Sequence, residues 1–506
     1  MKRIGIVSSG ASTLYAPIQI LKQAERDAKE EALVLVKEDS EGEAKLYLGV
    51  LRNIRAHDPL LPHNQRSSVI DNPELAKLGN EVVFVNSYVR ILGELENNII
   101  KPATRPPTPR SYVYMVESPS DIQLNLGSGL VLGIHKYSGL EIPMPVDSLR
   151  YHIGVVGATG TGKSRLVLAL IREVLEKTNW KIVVFDHSGL DYVKYFKEHT
   201  IDGGEIAIDI DTICSYLVRE SGIKDEEYLY VSLLGYILFE LGKLPISTKP
   251  LEGYFSQQKS KTKGSPENEK ITEKIAKATL EIENFDESLV NVKWDLRKFI
   301  EITKMVLKEL GAKKSTSIKI ETKLLLYSKH FFKTLNMRKV TIRDIIEKAI
   351  RDRLVIIDLS TLEQSVKRYV VKSVISKLWE IIDTRKEQVN TLLVVDEAHN
   401  YACEKCYDSN YEISRTAREG RKWGLGLVLA SQRIIDFETE VRNNINTFFF
   451  SRLQTPGDLQ NLQGVLDLGG ISYENLAILS QREFFMAGLG NPLKYPILLK
   501  VKEIGD

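Results

Sequence analysis

The chain has 506 residues, 43% hydrophobic and 27% charged, a globular composition that excludes a disordered chain. Lys and Arg number 69 against 67 Asp and Glu, a net charge of +2, so any nucleic-acid surface must be a local concentration of basic residues. Three cysteines exclude a disulfide scaffold and fit a reducing compartment; no apolar run is long enough for a membrane span or signal peptide, which leads to the expectation of a soluble, cytoplasmic protein with no membrane partner.

Residues 1–100 are expected to form a small β-barrel or sandwich. Arg3–Ser8, Ala32–Val36, Lys45–Val50 and Glu81–Leu92 are rich in Val, Ile, Leu and Tyr and are separated by turn residues. Ala24–Glu31 is charged and helix-prone, and is expected to be an insertion. Prolines at 102, 106, 107 and 109 make residues 101–111 an extended linker. Two further short strands, Tyr112–Val116 and Gly129–Ile134, follow.

From Tyr151 the pattern changes. Ile153–Val156, Lys181–Asp186, Leu354–Asp358, Leu392–Asp396, Leu425–Ala430, Phe448–Ser451 and Phe484–Leu489 are short, nearly continuous apolar runs. Such runs are strands buried on both faces, as in a mostly parallel sheet covered by helices. The predicted fold class is therefore α/β, a RecA-like core over 112–204 and 346–506. Residues 205–345 interrupt it with helical spacing at Glu226–Leu241, Lys270–Ile282 and Val290–Leu310, and are expected to be a helical insertion. Within it Gly253–Lys270 is polar, with Lys259, Lys261 and Lys263 alternating. These lysines are candidates for a DNA-contacting loop, a solvated loop being the alternative.

Gly157-Ala158-Thr159-Gly160-Thr161-Gly162-Lys163-Ser164 matches G-x-x-x-x-G-K-[ST] between a strand and a helix. Its glycines let backbone N–H groups converge on phosphate oxygens, Lys163 reaches the β- and γ-phosphates, and the Ser164 hydroxyl ligates Mg²⁺. Leu392–Glu397 is the complementary acidic strand end. There Asp396 is expected to hold Mg²⁺ through water, and Glu397 to act as general base on the attacking water. The expected ligands are thus ATP and Mg²⁺. Asp396-Glu397-Ala398-His399 also spells a helicase box, but 397 − 163 = 234 residues separate the two motifs, so two linked motor cores do not follow.

Gln432 ends the next apolar strand, where it is expected to sense the γ-phosphate; a plain strand-end polar residue is the alternative. Arg415, Arg418, Arg421 and Lys422 precede that strand in a segment expected to be helical, with i, i+3 spacings that put the arginines on one face. They make either a solvated face or an arginine finger that offsets phosphoryl-transfer charge at a neighbour's site. Cys403 and Cys406 lack a second ligand pair for zinc and read as two loop cysteines.

These motifs, with Phe185–Tyr192 and the run Ala417-Arg418-Glu419-Gly420-Arg421-Lys422-Trp423-Gly424, resemble the HerA family of DNA-translocating ATPases within the wider HerA/FtsK group. The resemblance covers nearly the whole chain. It implies a homo-oligomeric ring, usually a hexamer, that pumps duplex DNA through a central channel, in DNA end processing with a NurA-type nuclease. It assigns Arg421 as the trans-acting finger with Arg418 assisting. It places Asp186 and Asp191 at the acidic positions after the second strand, and Arg150 near the nucleotide, although Tyr151 occupies the register of the family's arginine. The segment around Asp186 is one residue longer than usual, and the sequence ends at Asp506, soon after the last expected strand, so a long C-terminal extension is not expected. Two other readings stand beside the DNA motor: a conjugation- or secretion-type motor, and a nucleotide-gated clamp that does not translocate.

Overall fold

The computed structural model describes the chain except residues 39–44, 62–65, 68–73, 75–82, 245–270, 281, 283–284 and 504–506. Lys259, Lys261 and Lys263 therefore lie outside the described residues. The chain divides into two compact units, one of residues 1–182, 388–404 and 414–506, the other of 183–387 and 405–413.

The first unit begins with strands β1 (Lys2–Val7), β2 (Tyr15–Ile20), β3 (Leu33–Glu38), β4 (Lys45–His57), β5 (Phe84–Glu96), β6 (Ile99–Lys101) and β7 (Tyr112–Met115). Their order is β2-β1-β7-β3-β4-β5-β6, and pairing of β2 with β5 closes the first six into a barrel. Alternation places Ile4, Ile18, Val34, Val36, Leu51, Val89 and Val113 inside. Sequence patterning misses β2 and assigns Tyr112–Val116 to the motor. In the structure the chain leaves the proline segment and re-enters the barrel between β1 and β3. Ala24–Glu31 is not a helix: a short 3₁₀ turn at Lys22–Ala24 is followed by further turns.

The end of that segment serves a buried ion pair. Glu31 has φ +66°, and its carboxylate accepts the Arg52 guanidinium at 3.0 Å. Arg52 also donates to the carbonyls of Leu468, Gly469 and Pro496 at 3.2, 2.6 and 3.0 Å. One arginine thus ties the barrel wall to the turn at Leu468–Gly469 and to Pro496, with every donor group partnered inside the protein, as a buried charge requires.

The same unit carries β8 (Gly133–His135), β9 (Ile153–Val156), helix α1 (Lys163–Lys177), β13 (Thr391–Val395), β14 (Leu425–Ser431), β15 (Thr447–Phe450), β16 (Glu483–Gly488) and β17 (Ile497–Val501). Their order is β13-β14-β9-β15-β16-β17-β8. The first four run parallel and the last three pair antiparallel. Every residue of β9, β13, β14 and β15 is buried, which is why they read as unbroken apolar runs.

In the second unit the strand order is β11 (Thr200–Asp202), β12 (Leu354–Asp358), β10 (Lys181–Asp186). Helices Ile210–Ser221, Glu226–Glu240, Ile271–Leu280, Leu296–Glu309, Lys314–Tyr327 and Lys329–Leu335 form the expected insertion. They pack around Leu233, Tyr236, Trp294, Phe299 and Phe332. The buried Tyr236 hydroxyl donates to the Lys293 carbonyl and accepts from the Asp295 N–H, both at 2.7 Å, so its polar tip is satisfied. No helix among the described residues is long and apolar enough to cross a membrane.

Candidate active site

Three parallel strands deliver the site. Val395 pairs with Leu429 and Ser431 with Val156, so β9 and β14 end at one level and β13 stops two residues short of it. That carboxyl edge is where α/β folds bind ligands. Immediately beyond it lie Gly157, Asp396 with Glu397, and Gln432.

The loop Gly157–Gly162 curls back on itself: Thr161 donates to the Ala158 carbonyl through Oγ1 at 2.8 Å. Gly162 holds φ +98°, a conformation side chains resist, and initiates α1 from there. The loop is pinned from two neighbouring segments, since Ala158 N–H donates to the Arg452 carbonyl at 2.7 Å and Arg482 N–H to the Thr161 carbonyl at 2.8 Å. Lys163 Nζ turns into the loop and donates to the Gly157 carbonyl at 2.9 Å. The N-terminus of α1 opens beside it, with Ser164 in the first turn.

Across the edge, Asp396 is 4% exposed. Glu397 has φ +44°, a strained backbone state for a non-glycine residue that recurs at functional sites. Its Oε2 is buried and accepts no hydrogen bond, though His399 Nδ1 lies 3.3 Å away. Asn400 Nδ2 donates to His399 Nε2 at 3.2 Å. That leaves Nδ1 as the protonated nitrogen, and it donates to the Ser431 hydroxyl at 3.3 Å rather than to Glu397. Gln432 joins the two halves. Its Nε2 donates to Glu397 Oε1 at 3.4 Å, and its Oε1 accepts from Thr159 Oγ1 of the loop at 3.1 Å.

A buried carboxylate oxygen without a donor, opposite a glycine-rich turn lined by backbone N–H groups and a lysine, fits a nucleotide triphosphate with its metal and attacking water. Ser164 and Asp396 are the residues that would hold Mg²⁺, whose chemistry there is to neutralise charge on phosphate oxygens.

Asp186 ends β10 in the second unit, fully buried. Its Oδ1 accepts from the N–H groups of Ser188 and Gly189 at 3.2 and 2.9 Å, and its Oδ2 from those of Tyr192 and Val193 at 2.9 and 3.4 Å. Burial raises its pKa, and these backbone donors oppose the rise. The carboxylate organises its own loop, with Asp191 sharing the Ser188 hydroxyl at 3.3 Å.

Arg150, Arg418 and Arg421 lie at the opposite end of the sheet from the phosphate loop. The helix Tyr407–Glu419 carries Arg415 and Arg418 but stops before Arg421, which sits in a separate 3₁₀ turn, Gly420–Trp423. A Cβ on Gly420 would come within 2.5 Å of the Leu425 carbonyl, so the chain must turn tightly there, and the three arginines do not share one helical face. Arg421 stacks on the Tyr151 ring at 4.7 Å, Arg418 pairs with Glu440 at 2.9 Å, and Arg150 pairs with Asp147 at 3.1 Å. β14 spans seven residues, or ~20 Å, between the Arg421 turn and Gln432. No arginine side chain covers that distance, so Arg421 cannot contact the phosphate loop of its own chain; Arg150 lies ahead of β9, whereas the loop follows that strand.

Sequence reasoning also missed His152, which fixes that arginine-bearing turn. It is 1% exposed with φ +62°. Nε2 donates to the Ala417 carbonyl at 3.0 Å, and Nδ1 accepts from Leu427 N–H at 3.1 Å. Burial pushes its pKa down to about 4, against a small opposing effect from the Ala417 bond, and the neutral ring is the only form with one donor and one acceptor. An isolated histidine before a strand carries no signal of this, because both partners are more than 260 positions away. Cys403 and Cys406 are disulfide-bonded rather than two independent loop thiols, and Cys214 is free and buried.

The sequence model described as helicase HerA, central domain, matches residues 130–379. The chain is 26% identical over 501 residues to the DNA double-strand break repair helicase HerA of Pyrococcus furiosus, covering 90% of this chain and 85% of that protein. It is 27% identical over 357 residues to a probable helicase of Methanocaldococcus jannaschii, covering 70% of this chain and 66% of that one. Among solved structures, VirB4 of Thermoanaerobacter pseudethanolicus covers 75% of this chain and 97% of its own at 16% identity and a TM-score of 0.45. The central-domain match and the alignment with a HerA helicase along 90% of the sequence place the chain in the HerA family, as a P-loop ATPase.

Proposed function

We propose that the chain is the subunit of a homo-oligomeric ring, a hexamer, that hydrolyses Mg²⁺-ATP to move duplex DNA. The observation that carries this reading is the division of the catalytic set. Lys163, Ser164, Asp396, Glu397 and Gln432 gather at one end of the parallel strands. Arg421, on Tyr151, lies at the other end, out of reach of its own loop. A site split in this way is completed by the next subunit.

In each site Lys163 leaves the loop carbonyls to hold the β- and γ-phosphates. Glu397 Oε2 accepts the proton of the attacking water, and Gln432 donates to the same carboxylate. The neighbour's Arg421, with Arg418 beside it, offsets charge that grows on the γ-phosphate oxygens. DNA is held by phosphate contacts that carry no base sequence, as a processive motor requires. A NurA-type nuclease at DNA ends is the partner that the relatives' named role in break repair favours.

The test is steady-state ATPase with and without linear duplex DNA, on protein whose native mass is measured. Stimulation by DNA in a hexamer is expected. Slow turnover indifferent to DNA would replace the motor with a nucleotide-gated clamp.

A further inference from the structure

Gln432 has one carboxamide oxygen with two lone pairs and one NH₂ with two donors. Both lone pairs are taken: Thr159 Oγ1 donates at 3.1 Å and Gln454 Nε2 at 3.2 Å. With the oxygen held by two donors, the NH₂ is turned toward Glu397, whose Oε1 it meets at 3.4 Å. We infer that Gln454 is a positioning residue for ATP hydrolysis, fixing the Gln432 carboxamide so that its N–H edge faces the water-activating Glu397 and the γ-phosphate position. This rests on the reading of Glu397 and Gln432 given above.

The reversed carboxamide would set its oxygen against the Glu397 carboxylate and its N–H groups against the Gln454 donor. Each exchange is unfavourable, so the orientation is determined by the partners. Gln454 in turn is held in place. It lies just past β15, beside the phosphate loop. The Tyr473 hydroxyl donates to the carbonyls of both Leu453 and Gln454 at 3.2 Å. Two residues earlier the Arg452 carbonyl accepts from Ala158 N–H. The segment 452–454 is therefore anchored to the loop through its backbone, and Gln454 offers its side chain from that anchored position. Thr159 supplies the second donor from the loop itself. A change in the loop on nucleotide binding reaches Glu397 through this one carboxamide.

A purely structural role predicts little, because the Gln454 side chain is exposed and its backbone contacts survive substitution. Gln454→Met removes the donor at similar length and no change of charge; Gln454→His keeps an N–H at about the same reach. The assay is kcat and KM for Mg²⁺-ATP on the full chain, for both variants, for Gln432→Ala, and for Gln432→Ala with Gln454→Met. Gln454→Met should lower kcat about five- to tenfold with KM within about twofold, as for one hydrogen bond that matters in turnover and not in ground-state binding. Gln454→His should recover most of the loss. In the Gln432→Ala background Gln454→Met should change nothing further, since its action passes through the missing carboxamide. Wild-type kcat in Gln454→Met, or losses that multiply in the double variant, would overturn the positioning role while leaving Gln432 in place. Wild-type turnover in Gln432→Ala would overturn both this inference and the hydrolytic role of Gln432.

Discussion

Arg421→Ala separates a finger that acts between subunits from an ordinary surface arginine. The structure bounds the cost to folding. Arg421 is exposed, and its described contact is the stack on Tyr151 at 4.7 Å, worth ~0.5–1 kcal/mol at an exposed site. The melting temperature should therefore move by less than about 2 °C. A finger contributes about 10³–10⁵-fold in turnover, or ~4–7 kcal/mol, several times more than the lost stack. Nucleotide binding should persist, because Lys163 and the loop lie ~20 Å away along β14. The assay is ATPase of equal mixtures of Lys163→Ala and Arg421→Ala chains, each inactive alone. In randomly mixed rings about a quarter of interfaces pair an intact loop with an intact finger, so activity should recover toward that fraction. Mixed rings, verified by mass, that stay as inactive as the parents would refute the argument from strand length, as would near-normal turnover in Arg421→Ala alone.

Lys163→Ala should abolish nucleotide binding and turnover together, whereas Glu397→Gln should retain binding and stop hydrolysis; near wild-type phosphate release from Glu397→Gln would remove its role as base. Burial holds His135 and His152 neutral, each pushed down to about 4 from 6.5. Their folded-state values lie below the unfolded ones, so the stability they contribute is present above pH 6.5 and is lost as pH falls toward 4. At 1.36 kcal/mol per unit, each removes ~2 kcal/mol between pH 6.5 and 5. His152→Gln should flatten the urea-stability profile by about that amount, and an unchanged slope would mean the ring is not titrating. Arg52→Ala leaves the buried Glu31 without its partner and should cost ~3–5 kcal/mol in the same assay; a loss below 1 kcal/mol would contradict the burial of the pair. DNA affinity should fall steeply with salt and vary little with base sequence at fixed length, and strong preference for one sequence would count against a motor.

What could be read from the sequence was what local physics determines. The glycines of Gly157–Gly162 are needed for backbone reasons that any phosphate loop shares, and Leu392–Val395 is apolar because β13 is buried on both faces. The insertion helices announce themselves by spacing. Pairing over long separations was not legible. The prolines before Ser111 look like a domain boundary, yet β7 returns to the barrel because β1 and β3 leave room between them. Arg150 stands close to the phosphate loop in sequence, but β9 carries the chain across the sheet and leaves Arg150 at the far end. Arg52, His152 and Gln454 acquire their roles from partners hundreds of positions away or from a neighbouring strand end, and an isolated polar residue in a sequence does not name its partner.

The claim that hydrolysis moves the ring along duplex DNA is tested most directly by displacement of a third strand from triplex DNA placed at increasing distances from an entry end. Translocation predicts an ATP-dependent lag that grows linearly with distance and disappears in Glu397→Gln. DNA-stimulated hydrolysis with no displacement, or a lag independent of distance, would contradict it.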